Sequence, residues 1–408
     1  MPPSISQVKS RSSKPAPQSR RADQTESAVN SGDIFALAPV SALKQKYLLY
    51  LTPMIQNVKK KTLLKGMPLD ELNNYFVSIG EPKFRGGQVF NWMYNHLITD
   101  FTEMNNLSKE LRNKLSEDTI INTLDYVDSE ISESTGTKKY VLETSDHNKI
   151  ESVIIPEAKR TTLCISTQVG CPLDCKFCAT GLMGYKKNLT AGEIFDQYLF
   201  ASKDYGKDNL ANIVYMGMGE PLLNYSATVN SLKIFADELT TGISLKKITV
   251  STAGIAPKII ELADSGLRVK IALSLHSCFE DTRSKIMPIN IKYPLKQNID
   301  AIKYYVKKTG TRITFEYVML KDLNDRQDDI NALARLCSEI PSKINVIPFN
   351  SVKHMNPKGF SAQLEPTPKP KIEDFITKLR NRNITVNVRY TQGDDIAAAC
   401  GQLAVKFN

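Results

Sequence analysis

No apolar run in the 408-residue chain approaches the roughly 20 residues of a membrane span. The longest candidates, residues 34–43 and 47–51, are short and lie beside or around Pro39, Lys44 and Lys46. Nor is there an apolar core next to a charged start, the mark of a secretory signal. Repeats of solenoid period are absent. With 41% hydrophobic and 24% charged residues, the composition excludes a wholly disordered, collagen-like or coiled-coil chain. Cysteine is sparse and uneven: seven in all, four of them within residues 164–178. An extracellular disulfide framework would spread an even number through a small domain, so an intracellular metal or redox site fits better. Together these absences lead us to expect a cytoplasmic protein with no membrane partner.

The formal charge is +10, and residues 1–60 carry a surplus of six of those charges, nine Lys/Arg against three acids. Basicity permits a nucleic-acid partner, but much of it sits in a tail. The Ser-, Pro- and Arg-rich start, 1–32, has no hydrophobic period and reads as disordered. Met54 opens a more conventional beginning. We therefore take 1–60 as a poorly ordered basic extension.

The rest allows two or three domains. Leu69, Leu72, Tyr75, Phe76 and Ile79 recur at helical spacing, and a second helical segment surrounds Trp92. Between them, Lys83-Phe84-Arg85-Gly86-Gly87 reads as a basic glycine turn. This gives a helical accessory module over 61–116. Short β-rich runs follow in 117–160, read as a small hairpin sheet. From 161 to 408 strands alternate with helices. Strand candidates are 162–166, 212–216, 248–251, 269–275, 313–317, 344–349 and 384–388. Helix candidates include 191–202, 227–239, 256–264 and 298–307. Repeated βα units imply a parallel α/β sheet with right-handed crossovers, and a site at the C-terminal strand ends.

Gly170-Cys171-Pro172-Leu173-Asp174-Cys175-Lys176-Phe177-Cys178 falls at one such end. Its three cysteines, at spacings of four and three, are soft ligands suited to zinc or an iron–sulfur cluster. Zinc sites pair one Cys-x-x-Cys with a second, or with a His pair, and neither is present. Three ligands on a four-iron cube leave one iron open to a substrate. Among the other cysteines, Cys278 and Cys337 read as buried apolar residues. Cys400, in a Gly-flanked segment, reads as a mobile, reachable thiol. Cys164 lies on the first strand with its orientation undetermined.

The cluster loop resembles the signature of the radical S-adenosylmethionine (SAM) superfamily. Thr162–Cys171, the Gly217-Met218-Gly219-Glu220-Pro221 turn, Ser251-Thr252-Ala253-Gly254, Leu273-Ser274-Leu275-His276 and the tail Gly393–Leu403 look together like one family. It is the dual-specificity RNA methyltransferases that act on adenine C2 in 23S rRNA and tRNA. The resemblance runs from about residue 60 to 408. It implies a partial (β/α)6 barrel with a small helical and β-hairpin accessory domain. It also implies a [4Fe–4S] cluster on Cys171, Cys175 and Cys178, and two SAM molecules per turnover. SAM contacts would come from Gly219, Glu220, Ser251, Ser274, Leu275, His276 and Asn350. Cys400 would carry the methyl group, Glu151 would take the C2 proton, and Cys164 would release the product through a transient disulfide with Cys400. Glu157 is then a natural control for Glu151. The family further implies a monomer reduced by a flavodoxin-like donor. Lys83, Arg85, Lys186 and Lys187, with Phe84 and Tyr185, are candidates for meeting RNA. A related family that methylates adenine C8 shares the cluster and both outer cysteines. A non-catalytic iron–sulfur RNA-binding protein is the alternative from another class.

Overall fold

The computed structural model describes residues 61–157 and 160–405. The basic extension and Met54 lie outside the described residues. Helices α1 (Leu69–Ser78), α2 (Phe84–Tyr94) and α3 (Lys109–Asp118) open the described chain. Leu72, Phe76, Val89, Phe90 and Met93 on the first two are fully buried, which accounts for the periodicity seen in sequence. The expected glycine turn at 83–87 is instead the first turn of α2. Gly86 is needed there for close packing rather than for a bend. A Cβ at this position would stand 2.8 Å from Asn73 Cα on α1.

Ten strands form one sheet. They are β1 (Leu124–Ile131), β2 (Lys138–Thr144), β3 (Lys149–Glu157), β4 (Arg160–Cys164), β5 (Leu210–Tyr215), β6 (Ile248–Thr252), β7 (Lys270–Ser274), β8 (Ile313–Met319), β9 (Ser342–Pro348) and β10 (Val386–Val388). Their spatial order follows the chain from β1 to β10. Pairing is antiparallel from β1 to β4 and parallel from β4 to β10. The 117–160 strands are thus continuous with the parallel sheet. Val153 of β3 lies opposite Cys164 of β4, which joins the two parts.

Helices α4 (Ala179–Leu182), α5 (Ala191–Tyr205), α6 (Tyr225–Ala236), α7 (Ala256–Asp264), α8 (Leu295–Thr309), α9 (Gln327–Glu339) and α10 (Lys369–Arg380) lie between the parallel strands. Strand β8 is buried at every residue, as expected for a parallel strand covered on both faces. Thr190 and Glu193 form a full capping box on α5. Among the described residues no helix is long and apolar enough to cross a membrane.

Candidate active site

The loop after β4 is closed by a short hairpin, Gln168–Gly170 against Tyr185–Asn188. Gly170 makes that closure possible. Its φ is +72°, and an added Cβ would overlap the Gly184 carbonyl oxygen. Lys176 N–H donates to Ile286 O at 2.9 Å, and Cys178 N–H to Cys175 O at 3.1 Å. These bonds place Cys171, Cys175 and Cys178 on one open cavity. Burial pushes all three thiols up, Cys171 to about 12. A metal must therefore displace protons to bind.

The donor set fits a cluster. All three ligands are soft thiols. Among the described residues no three Cys, His, Asp or Glu side chains converge as ligands of a single ion would. One zinc needs its sulfurs within about 4 Å of each other, from a Zn–S bond near 2.3 Å. A cluster takes one thiolate per iron.

Gly219, Glu220, Ser251, Ser274, His276 and Asn350 line the same cavity. The Glu220 carboxylate accepts N–H bonds from Ala253 (2.7 Å) and Leu222 (3.0 Å), tying the ends of β5 and β6 together. Burial raises its carboxyl to about 7. Gly219 has φ +101°, and a Cβ there would lie 2.5 Å from Gln168 Cβ. Gly219→Ala is expected to destabilise the fold by about 1–3 kcal/mol, read as a lower urea midpoint with an unchanged slope. His276 Nδ1 accepts the Val318 N–H at 3.1 Å, and burial lowers its pKa to about 3, so the imidazole is neutral. Leu275 does not line the cavity. Its side chain is fully buried, its N–H donates to Glu316 O, and its carbonyl accepts from Arg283 Nε. Strand alternation turns Leu275 into the core while Ser274 faces the cavity.

Cys400 also lines this cavity, and it lines a second one with Cys164. Cys164 borders only the second, and the three loop cysteines border only the first. The Cys400 segment therefore forms a wall between them. Burial raises Cys164 to about 12, with a smaller contribution from Cys400, and Arg389 opposes the shift. Cys400 is likewise raised by burial and opposed by Arg389. Both thiols are free, so the disulfide expected from the family is not formed in this structure. Cys278 and Cys337 are half-buried against the core.

Cys400 is exposed as a residue while its sulfur lies deep enough for burial to raise it, and its segment, read from the glycines as mobile, is tied down by hydrogen bonds. Ala179 N–H donates to Gly401 O (2.7 Å) and Thr180 Oγ1 to Leu403 O (2.6 Å). Asn350 Nδ2 donates to Cys400 O at 3.0 Å. Ala404 N–H donates to Glu151 Oε2 at 2.8 Å. The helix that follows the cluster loop thus holds the Cys400 segment directly.

Glu151 is buried on β3 but lines neither cavity. Register places it at the same end of the sheet as the cluster loop. Val153 pairs with Cys164, and the Ser166 hydroxyl donates to Glu151 O. Glu157 pairs with Arg160 at the other end of the strand.

The expected RNA contacts divide. The Lys187 ammonium bonds Asp146 (2.7 Å) and Glu193 (3.1 Å). Arg85 donates to Gln88 Oε1 (2.8 Å) and Asn106 O (3.2 Å), with its guanidinium over the Phe84 ring. Phe84 and Tyr185 are exposed, as are Lys83 and Lys186.

Three residues were missed from sequence. Arg389 borders both cavities beside Cys400, and Tyr390, 72% exposed, stands on the second. Their position just before the Cys400 tail was the available signal. Arg283, fully buried, donates to the carbonyls of Ala253, Ser274 and Leu275 and so ties the ends of β6 and β7. Nothing in its sequence neighbourhood marks it.

A parallel sheet with a three-cysteine loop after its first parallel strand defines a radical SAM enzyme. The radical SAM superfamily model matches residues 165–337, and the ribosomal RNA large subunit methyltransferase N-terminal domain matches 62–121. The probable dual-specificity RNA methyltransferase RlmN of Dictyoglomus turgidum is 42% identical over 83% of this chain and 95% of its own. That of Thermotoga neapolitana is 42% identical over 84% and 97%. A radical SAM methyltransferase structure from Sphaerobacter thermophilus superposes with a TM-score of 0.78 at 39% identity, over 84% of this chain and 99% of that one. This chain belongs to the dual-specificity RNA methyltransferase RlmN family. It is a radical SAM RNA methyltransferase that uses SAM and an iron–sulfur cluster.

Proposed function

We propose that the enzyme methylates adenine C2 in 23S rRNA and tRNA, with Cys400 carrying the carbon. The observation that carries this reading is the place of Cys400, in a wall shared by the cavity of Cys171, Cys175 and Cys178 and the cavity of Cys164. Adenine C2 is electron-poor and its hydrogen is not acidic, so direct displacement from SAM fails. A [4Fe–4S] cluster on the three loop cysteines, with SAM, would supply the one-electron chemistry that activates a methyl group. That Gly219, Glu220, Ser251, Ser274, His276 and Asn350 line the same cavity supports their holding SAM there.

The protein's own groups do the rest. The Cys400 thiolate takes a methyl group from one SAM, forming its S–C bond as the sulfonium S–C bond breaks. Arg389 favours that thiolate. One methyl hydrogen atom and, once the carbon has joined adenine C2, one electron would be taken up by the chemistry that the cluster and SAM supply, and Glu151 takes the C2 proton. The Cys164 thiolate then attacks the Cys400 sulfur. A disulfide forms, the S–C bond breaks, and the electron pair left on carbon takes up a proton to give the methyl group. A two-electron reductant resets the thiols, and a flavodoxin-like donor fits the one-electron requirement of the cluster. The target base must leave its stack, and the exposed Tyr390 ring offers a face for it. The same reading has the enzyme act as a monomer in the cytoplasm.

Anaerobic reconstitution with iron and sulfide, followed by mass spectrometry of nucleosides from treated rRNA and tRNA, tests this. Brown protein that yields 2-methyladenosine is expected. An 8-methyladenosine product would refute the C2 assignment, and colourless zinc-loaded protein would refute the chemistry.

A further inference from the structure

Lys139 on β2 is buried, yet it carries a full charge's worth of contacts. Its ammonium meets Glu130 Oε2 (2.9 Å), Glu151 Oε1 (3.3 Å) and the Ile396 carbonyl (2.6 Å). Three acceptors match the three N–H donors of a lysine. Glu130 sits directly across from Lys139 on β1. On the other side Lys139 pairs with Val153, so Glu151 is its diagonal neighbour on β3. The Glu130 side chain is 54% exposed and contributes little. The Glu151 and Ile396 contacts are the sheltered ones.

Glu151 holds Lys139 with one oxygen and the Ala404 N–H with the other. Lys139 reaches Ile396, and Glu151 reaches Ala404. The pair therefore clasps the Cys400 segment on both sides of its thiol. Resting on the reading above that Glu151 removes the C2 proton, we propose that Lys139 is the positioning residue that sets the Glu151 carboxylate and the Cys400 segment in place against each other. During proton transfer one carboxylate oxygen stays on Lys139. The other trades the Ala404 N–H for the substrate proton, so the group pivots about a fixed point.

The electrostatics agree. Burial raises the Glu151 carboxyl, Lys139 and the Ala404 N–H oppose that, and Glu130 adds a smaller upward push. Removing the Lys139 charge raises it further, so the ionised base is reached only at higher pH.

The test uses reconstituted Lys139→Met and Lys139→Arg enzymes with two readouts. One is the pH profile of turnover on RNA. The other is the rate of tryptic cleavage after Arg389, at the head of the Cys400 segment. Lys139→Met is expected to move the acid limb to higher pH, to lose about tenfold or more in turnover at neutral pH, and to be cut several-fold faster. Lys139→Arg is expected to keep the wild-type limb and cleavage rate. A Lys139→Met enzyme with wild-type limb and wild-type cleavage overturns the proposal. If Lys139→Met does not fold, Glu151→Ala removes the other half of the clasp. Faster cleavage then supports the proposal, and unchanged cleavage overturns it. A wild-type product methylated elsewhere than C2 would instead refute the assigned reaction, and the cleavage readout would still judge the clasp.

Discussion

Cys400→Ala is expected to abolish methyl transfer, by about 10³-fold or more, while the cluster still forms and SAM is still cleaved. The thiol is the only group in the account that receives the methyl carbon, and no neighbour can replace it. Cys164 borders the second cavity alone, is 7% exposed, and touches none of the space around the loop cysteines. Its removal should spare every step up to carbon–carbon bond formation. Cys164→Ala is therefore expected to accumulate a covalent enzyme–RNA adduct, visible as a band that survives denaturing gels and disappears on nuclease treatment. A non-catalytic RNA-binding protein would show neither effect. Full methylation by Cys400→Ala would end the account of how the carbon travels.

The second large effect is at Glu151. Glu151→Gln is expected to lower turnover by about 10²–10⁴-fold, the range for loss of a general base, with a small change in KM for RNA. Glu157→Gln is expected to stay within about twofold of wild type. The two glutamates share a strand and a face, six residues apart; register puts Glu151 at the cluster end, bonded to the Ala404 N–H, whereas Glu157 borders the Cys164 cavity from the other end of the strand, paired with Arg160. For the wild-type enzyme, burial raises the Glu151 carboxyl, so turnover should fall as pH drops through a value above the ordinary carboxylate range. That acid limb should vanish in Glu151→Gln.

Much of the architecture was legible because its signals are local. Helix α7 lies at 256–264, as the apolar spacing and the early Pro257 imply. The parallel strands fall within a few residues of their apolar runs because both faces are covered. The three-cysteine loop stood out by the spacing of Cys171, Cys175 and Cys178 and by its place after the first parallel strand. What escaped the sequence depends on contacts between distant segments. The continuity of β1–β3 with the parallel sheet is a matter of register between β3 and β4. Gly86 read as a turn because its packing partner, Asn73, lies 13 residues away on another helix. The Gly-flanked Cys400 segment read as loose because the groups that hold it, at Ala179, Thr180, Asn350 and Glu151, lie far off in the chain. The ion pairs of Lys187, a candidate RNA contact, with Asp146 and Glu193 could not be assigned from sequence. Leu275, implied by the family motif as a SAM contact, keeps its side chain in the core and its backbone bonded to Glu316 and Arg283, an orientation set by strand alternation that the motif alone does not reveal.

Cys400 as the carrier of the carbon is the step on which the proposed reaction turns. Holoenzyme incubated with SAM bearing a deuterated methyl group, then chased with RNA and unlabelled SAM, tests it through the mass of the tryptic peptide beginning at Tyr390. Label that appears on Cys400 before the chase and passes to adenine during it is the expected result. RNA that gains the deuterated methyl while Cys400 never carries it would contradict the account.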